Sequence, residues 1–232
     1  MKQLKKAIIF DAGALITISM NGLDKEIRGL KSIFDGAFLI TQQVKKEVID
    51  KPLTIKSFEL EALRTKKLLD DKVIELAETY GFDNKSIENK SDEIMNIANS
   101  LFMSPKEPVK LLHLGEASCF ALSDLLNKKN IKNVIVIDER TARMLIEKPE
   151  NLRELLIRKL HTNISLVKQN FAYFKNFQVI RSAELIYVAW KKDLVELKDG
   201  IFLLDALLYA VKSKGCAISS DEIEEIKKMK NF

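Results

Sequence analysis

Ala7-Ile8-Ile9-Phe10-Asp11 and Val134-Ile135-Val136-Ile137-Asp138 are two runs of four β-favouring apolar residues, each stopped by an aspartate. Such a run reads as a strand buried on both faces, as in a parallel sheet covered by helices. In sheets of that kind ligands bind just beyond the carboxyl ends of the strands. Two aspartates at those ends, far apart in the chain, predict one acidic site.

Outward from these runs, strand-like and helix-like segments alternate, which predicts an α/β fold with a parallel sheet. A helical stretch follows the first strand (7–10) through Leu30, and a second strand is expected at 37–40. The next helix runs from Thr41, a cap-forming residue, to Asp50 and ends at Pro52. Residues 57–80 read as mainly helical, with a short strand candidate at 73–76. Residues 83–93 are polar and charged, 92–102 helical, and 104–108 a loop. Gly115 opens a helix running to about Asn127, before the strand at 134–137. Beyond Arg140 the chain is helix-rich to Lys168, with Glu150, Glu154, Arg153 and Arg158 forming a solvated face. A weak last strand at 178–180 precedes helices at 183–197 and 201–213. A final helix starts at Ser219-Ser220, with Glu222 and Glu224 in its first turns.

The 232 residues suit one large domain, or one domain with an elaboration. A hydrophobic content of 47% excludes disorder throughout. The net charge of +5 and pI near 9.0 permit a polyanionic partner without demanding one. Cys119 and Cys216 sit in apolar helical contexts and read as buried thiols of a reducing cytosol. His113 and His161 are isolated, which leaves zinc sites and Ser-His-Asp triads without their parts. Asp11 interrupts the first apolar stretch too early for a secretory signal, and no segment approaches a membrane span. The expectation is a soluble, cytoplasmic protein whose chemistry belongs to carboxylates.

Two more acids stand out. Glu47 follows Val44 and precedes Val48, so on a helix it borders the apolar stripe. Glu116, with Cys119 and Phe120 three and four residues on, shares an inward face. An inward carboxylate is costly unless it is paired, hydrogen-bonded or bound to a metal. Each acid also has a plainer reading. Asp11 and Asp138 could cap the next helix, Glu116 could serve a helix dipole, and Glu47 could be solvated or salt-bridged. Four carboxylates gathered in one place repel one another unless a cation neutralises them. Mg2+ or Mn2+, with oxygen ligands and water, suits such a site and supports in-line hydrolysis of a phosphodiester.

At these residues the chain resembles the PIN-domain family. The pattern is Ile8-Ile9-Phe10-Asp11 followed by Ala14-Leu15-Ile16, then Val44-Lys45-Lys46-Glu47, Leu114-Gly115-Glu116-Ala117, and Val136-Ile137-Asp138-Glu139 with Ala142 and Arg143. Val179 to Leu185, on through Ala189 and Leu194, resembles the closing strand and helix. Residues 201–224 resemble the helical tail of longer, archaeal-type members. The resemblance spans nearly the whole chain. It implies one domain over 1–232, a three-layer sandwich with helices on both sides of a parallel sheet, a helical elaboration at 149–177 and a C-terminal tail at 201–232. It also implies a metal-dependent endoribonuclease, with Asp11, Glu116 and Asp138 as metal ligands, Glu47 as fourth acid and Glu139 as an accessory. Many members self-associate, and some are toxins with an antitoxin partner, so a homodimer and an antitoxin-like partner are further expectations. Gly13 departs from the pattern where many members carry Ser, Thr or Asn, as Val136 does where smaller toxins often carry Thr.

Arg140, Arg143 and Arg181 are candidate phosphate contacts, with surface salt bridges as the alternative. Phe171, Tyr173 and Phe174 suit base stacking or core packing, and Trp190 suits the core. A haloacid-dehalogenase-type phosphatase would need an Asp at the position of Gly13. A flap-endonuclease-like enzyme would need further acids and a helical arch. Two readings compete with the nuclease: a PIN-like RNA-binding or assembly component, and a subunit using its C-terminal helices as an interface.

Overall fold

The computed structural model describes residues 4–167 and 171–229. In chain order the strands and helices are β1 (Lys6–Phe10), α1 (Ala12–Met20), α2 (Asp24–Ile33), β2 (Ala37–Ile40), α3 (Gln42–Lys45), α4 (Glu59–Asp70), β3 (Glu75–Leu76), α5 (Asn84–Asn99) and β4 (Phe102–Met103). Then come α6 (Leu114–Lys128), β5 (Lys132–Val136), α7 (Arg140–Glu147), α8 (Leu152–Leu160), β6 (Ser165–Leu166), β7 (Val179–Ile180), α9 (Ser182–Lys191), α10 (Gly200–Ser213) and α11 (Ser220–Lys228).

The expected α/β architecture is present. Five strands form a parallel sheet in the order β3-β2-β1-β5-β7, flanked by helices. Ile9 pairs with Leu39 on one side and Ile135 on the other, and all three are fully buried. Helix coverage of both faces explains why these strands read as unbroken apolar runs rather than alternating ones. Helix α6 packs on β1 and β5, with α3 and α5 against it, while α1, α2, α4, α9 and α10 pack on one another.

The strand order positions the site. From β1 the chain builds outward through β2 to β3, then returns to the other side of β1 for β5 and β7. The crevice at such a reversal, here between β1 and β5, is where open α/β sheets bind ligands. Phe10 of β1 lies opposite Val136 of β5, so the residues that leave these strands, Asp11 and Asp138, emerge side by side.

Several elements differ from the expectation. The helix expected over Thr41–Asp50 is α-helical only to Lys45 and continues as a π turn over Lys46–Asp50. Thr41 caps it as expected, its Oγ1 accepting from the Val44 amide at 3.2 Å. The polar stretch 83–93 opens α5, capped by Asp83, with Ile87, Ser91, Ile94 and Ala98 forming its buried stripe. Helix α9 stops at Lys191 rather than 197, because Asp193 takes a left-handed conformation (φ 57°) and the Leu194 amide turns back to the Ala189 carbonyl at 2.9 Å.

The segment 149–177 forms α8 and β6, which pairs antiparallel with β4, a ladder the sequence did not announce. Lys168–Asn170, within that segment, and 230–232, within the expected tail, lie outside the described residues. Phe174 is fully buried, edge-on to Phe120, and Phe171 packs on Phe102. These rings are core. Trp190 is half-buried and donates its indole N–H to the Gly200 carbonyl at 3.0 Å. Among the described residues no helix is long and apolar enough to cross a membrane.

Candidate acidic site at the β1–β5 crevice

Asp11, Glu116 and Asp138 are buried, at 4%, 7% and 2% exposure, and Glu47 is half-buried. Each is placed by local structure. Asp11 ends β1 and caps α1, its Oδ2 accepting from the Gly13 amide at 3.2 Å. Glu116 sits in the first turn of α6, its Oε2 accepting from the His113 amide at 2.7 Å. Asp138 follows β5, and its two oxygens accept from the amide and the hydroxyl of Ser182, both at 2.8 Å, at the start of α9. The capping readings of Asp11 and Glu116 therefore hold, whereas the next helix after Asp138 is capped by Glu139 and Asp138 bonds the first residue of α9 instead. The positive ends of α1, α6 and α9 face this edge of the sheet, which favours negative charge there.

Capping does not account for the convergence. Glu47 rides on the π turn, its Oε1 accepting from Gln43 Nε2 at 2.6 Å. Its carboxylate lies against Gly115 so closely that a Cβ there would stand 2.6 Å from Oε2. Gly115 therefore admits Glu47 to the start of α6, next to Glu116. Inserted π turns of this kind are frequent at functional sites.

Electrostatics record the same gathering. Burial is the main cause that pushes the Asp11 carboxyl from 3.8 up to about 7, with Glu47 and Asp138 adding to it against the Gly13 and Ala12 amides. Burial likewise raises Glu116 from 4.5 to about 8, followed by the charges of Asp11, Glu139 and Glu47. The Cys119 thiol, buried behind them, is raised too, by burial and then by Asp11, Glu47 and Glu116. Among the described residues no Lys, Arg or His approaches Asp11, Glu47, Glu116 or Asp138 within salt-bridge distance. Buried carboxylates without a cation are expensive.

The donor set fits a hard divalent cation in chemistry: all oxygen, buried on an apolar backing, uncompensated in charge. The side chains as they stand are not gathered into a finished cage. Among the described residues, no three His, Cys, Asp or Glu side chains form a group that could hold a metal ion. Lone pairs on the capping oxygens remain open, since each accepts only one or two bonds.

The other predicted residues divide. Glu139 caps α7, accepting from the Ala142 amide at 2.8 Å and the Thr141 hydroxyl at 2.9 Å, and pairs with Lys159 at 3.1 Å. Arg181 is committed to Glu184 and Glu222, which is the salt-bridge alternative. Arg140 is exposed at the start of α7, and Arg143 is buried. A Cβ at Gly13 would meet Asp11 Oδ2 at 3.4 Å, ordinary contact, so a hydroxyl residue fits there and this chain does without its hydrogen bond. Three features went unread in the sequence: Gly115 as the space for Glu47, Ser182 as the holder of Asp138, and a hydrogen bond of 2.7 Å between the Thr41 and Ser118 hydroxyls that ties α3 to α6. The small residues opening both helices were the available signal.

No family model, curated protein or solved structure matches this chain.

Proposed function

We propose that the protein is a divalent-metal-dependent endoribonuclease that hydrolyses RNA phosphodiester bonds at this acidic site. The observation that carries the reading is the set of four carboxylates with no cationic partner among the described residues, at the carboxyl ends of β1 and β5, where the strand order reverses. A bound Mg2+ or Mn2+ would supply charge neutralisation for the phosphate and a more acidic water.

The remaining work belongs to the chain. Asp11, Glu116 and Asp138 would hold the cation, their directions fixed by Gly13, His113 and Ser182. Glu47, half-buried and with Oε1 on Gln43, keeps Oε2 to accept a proton from the attacking water. Helix starts at this edge would stabilise the negative charge that builds up on the phosphate oxygens.

The alternative, a PIN-like RNA-binding or assembly component that does not cut, is favoured by one observation: Asp11 and Glu116 double as caps, and among the described residues no three-residue metal group is formed. Cleavage of a labelled RNA pool with Mn2+ or Mg2+ separates the two, comparing wild type with Asp11→Asn and Asp138→Asn. Metal-dependent cutting abolished by both substitutions supports the nuclease. No cutting by wild type, or cutting that survives both substitutions, leaves the binding component in the lead.

A further inference from the structure

A groove of about 1240 Å3 opens beside the acidic site, walled by α7, α8, the Cys216–Ser219 segment and part of α11. It meets the site at two points. Glu139 lines the groove and its charge reaches Glu116. Ala217 lines it too, and its amide donates to the Asp138 carbonyl at 3.0 Å. Several charges on the walls are neutralised in pairs: Lys159 with Glu139 at 3.1 Å, Arg158 with Glu154 at 3.5 Å, and Glu222 with Arg181 at 2.6 Å.

Arg143 is not. Its side chain is 6% exposed, yet its Nε is buried with no hydrogen-bond partner. Among the described residues its guanidinium has one acid within reach, Glu147, at the 4.0 Å limit of an ion pair. A buried guanidinium is unfavourable until an anion meets it, and its planar fork matches two oxygens of a phosphate. Arg140 and Lys148, both exposed, line the same wall.

Resting on the nuclease reading, we infer that this groove seats a phosphate of the RNA strand next to the scissile one, with Arg143 as its buried clamp and Arg140 and Lys148 as outer contacts. The strand then runs from the β1–β5 crevice along α7. Arg143 is a binding residue for the flanking phosphate and takes no part in bond breaking.

The test is fluorescence anisotropy with a labelled single-stranded oligoribonucleotide in EDTA, over a range of salt, with inorganic phosphate and AMP as competitors. Arg143→Met, which keeps the buried volume, weakens binding by about tenfold or more and lowers the salt slope by about one. Arg143→Lys keeps the slope and loses part of the affinity, since an ammonium lacks the fork. Glu147→Gln leaves Arg143 in place, removes its one acid and tightens binding, which keeps the inference testable should Arg143→Met not fold.

Unchanged affinity and slope in Arg143→Met, or no tightening in Glu147→Gln, overturns it. Saturation of the Arg143 site by phosphate or AMP with no oligonucleotide binding assigns a free phosphate compound and overturns the strand path. The two readings fail separately. Arg143-dependent binding by a protein that never cuts RNA removes the nuclease and keeps the groove. Cutting that needs Asp11, with binding indifferent to Arg143, does the reverse.

Discussion

Asp11→Asn should make the protein's stability less sensitive to pH. The native Asp11 carboxyl ionises near 7, whereas the unfolded chain carries it near 3.8. Between those values the native state holds a proton that the unfolded state has released, so stability falls as pH rises through the window. At about 1.36 kcal/mol per pH unit, the loss from this one group is about 4 kcal/mol, an upper figure because Glu47 and Asp138 share in it. Asparagine has the same shape, can still accept from the Gly13 amide, and does not ionise. Relative to wild type, the variant should be near neutral at about pH 4.5 and more stable by roughly 2–4 kcal/mol at about pH 8.5.

Glu116 adds a second loss over 4.5 to about 8 in both proteins, smaller in the variant, because the Asp11 charge is the second cause of its shift. Urea denaturation in a chelator at several pH values gives the comparison. Addition of Mn2+ at the higher pH should stabilise wild type and leave Asp11→Asn little changed. A stability difference between the two proteins that is constant across this range to within about 1 kcal/mol would refute the reasoning, since it would mean that Asp11 is not held proton-bound in the fold.

Gly115→Ala should leave stability within about 1 kcal/mol of wild type, because alanine suits a helix, while driving the Glu47 carboxylate off its place and cutting metal-dependent RNA cleavage by about tenfold or more; denaturation and cleavage rates measured together check both halves. Ser182→Ala removes one of the two donors to Asp138 and should cost about 1 kcal/mol by denaturation. Arg181→Met strips Glu184 and Glu222 of their partner and should cost about 2 kcal/mol, with the salt slope of RNA binding unchanged, in contrast to Arg143→Met.

The fold was legible where the signal was strong and local. Continuous apolar runs at 7–10, 37–40 and 134–137 read as covered strands, and all lie in the sheet or at its edge. The acids stood out in the sequence because each sits at a strand end or on an inward helix face; the structure buries Asp11, Glu116 and Asp138 and sets Glu47 against Gly115, while no three of the described His, Cys, Asp or Glu side chains form a metal-holding group. What escaped was set by contacts distant in sequence. The β4–β6 ladder is two residues per strand, too short to have a period. The π turn that carries Glu47 shows no composition different from an α-helix. Helix α9 ends two residues before Asp193, which takes a left-handed turn, a position composition does not mark. The burial of Arg143 comes from the folding of α7 against its neighbours, and its residue type, ordinarily solvated, hides that although Ala142, Met144 and Leu145 beside it are core.

The most direct test of the central claim is a crystal soaked in Mn2+ and measured for anomalous scattering. The account predicts a manganese peak among Asp11, Glu116 and Asp138 at the ends of β1 and β5, absent from crystals of Asp11→Asn. No peak there at saturating Mn2+, in crystals where the crevice is open to solvent, would contradict the acidic site as a metal centre.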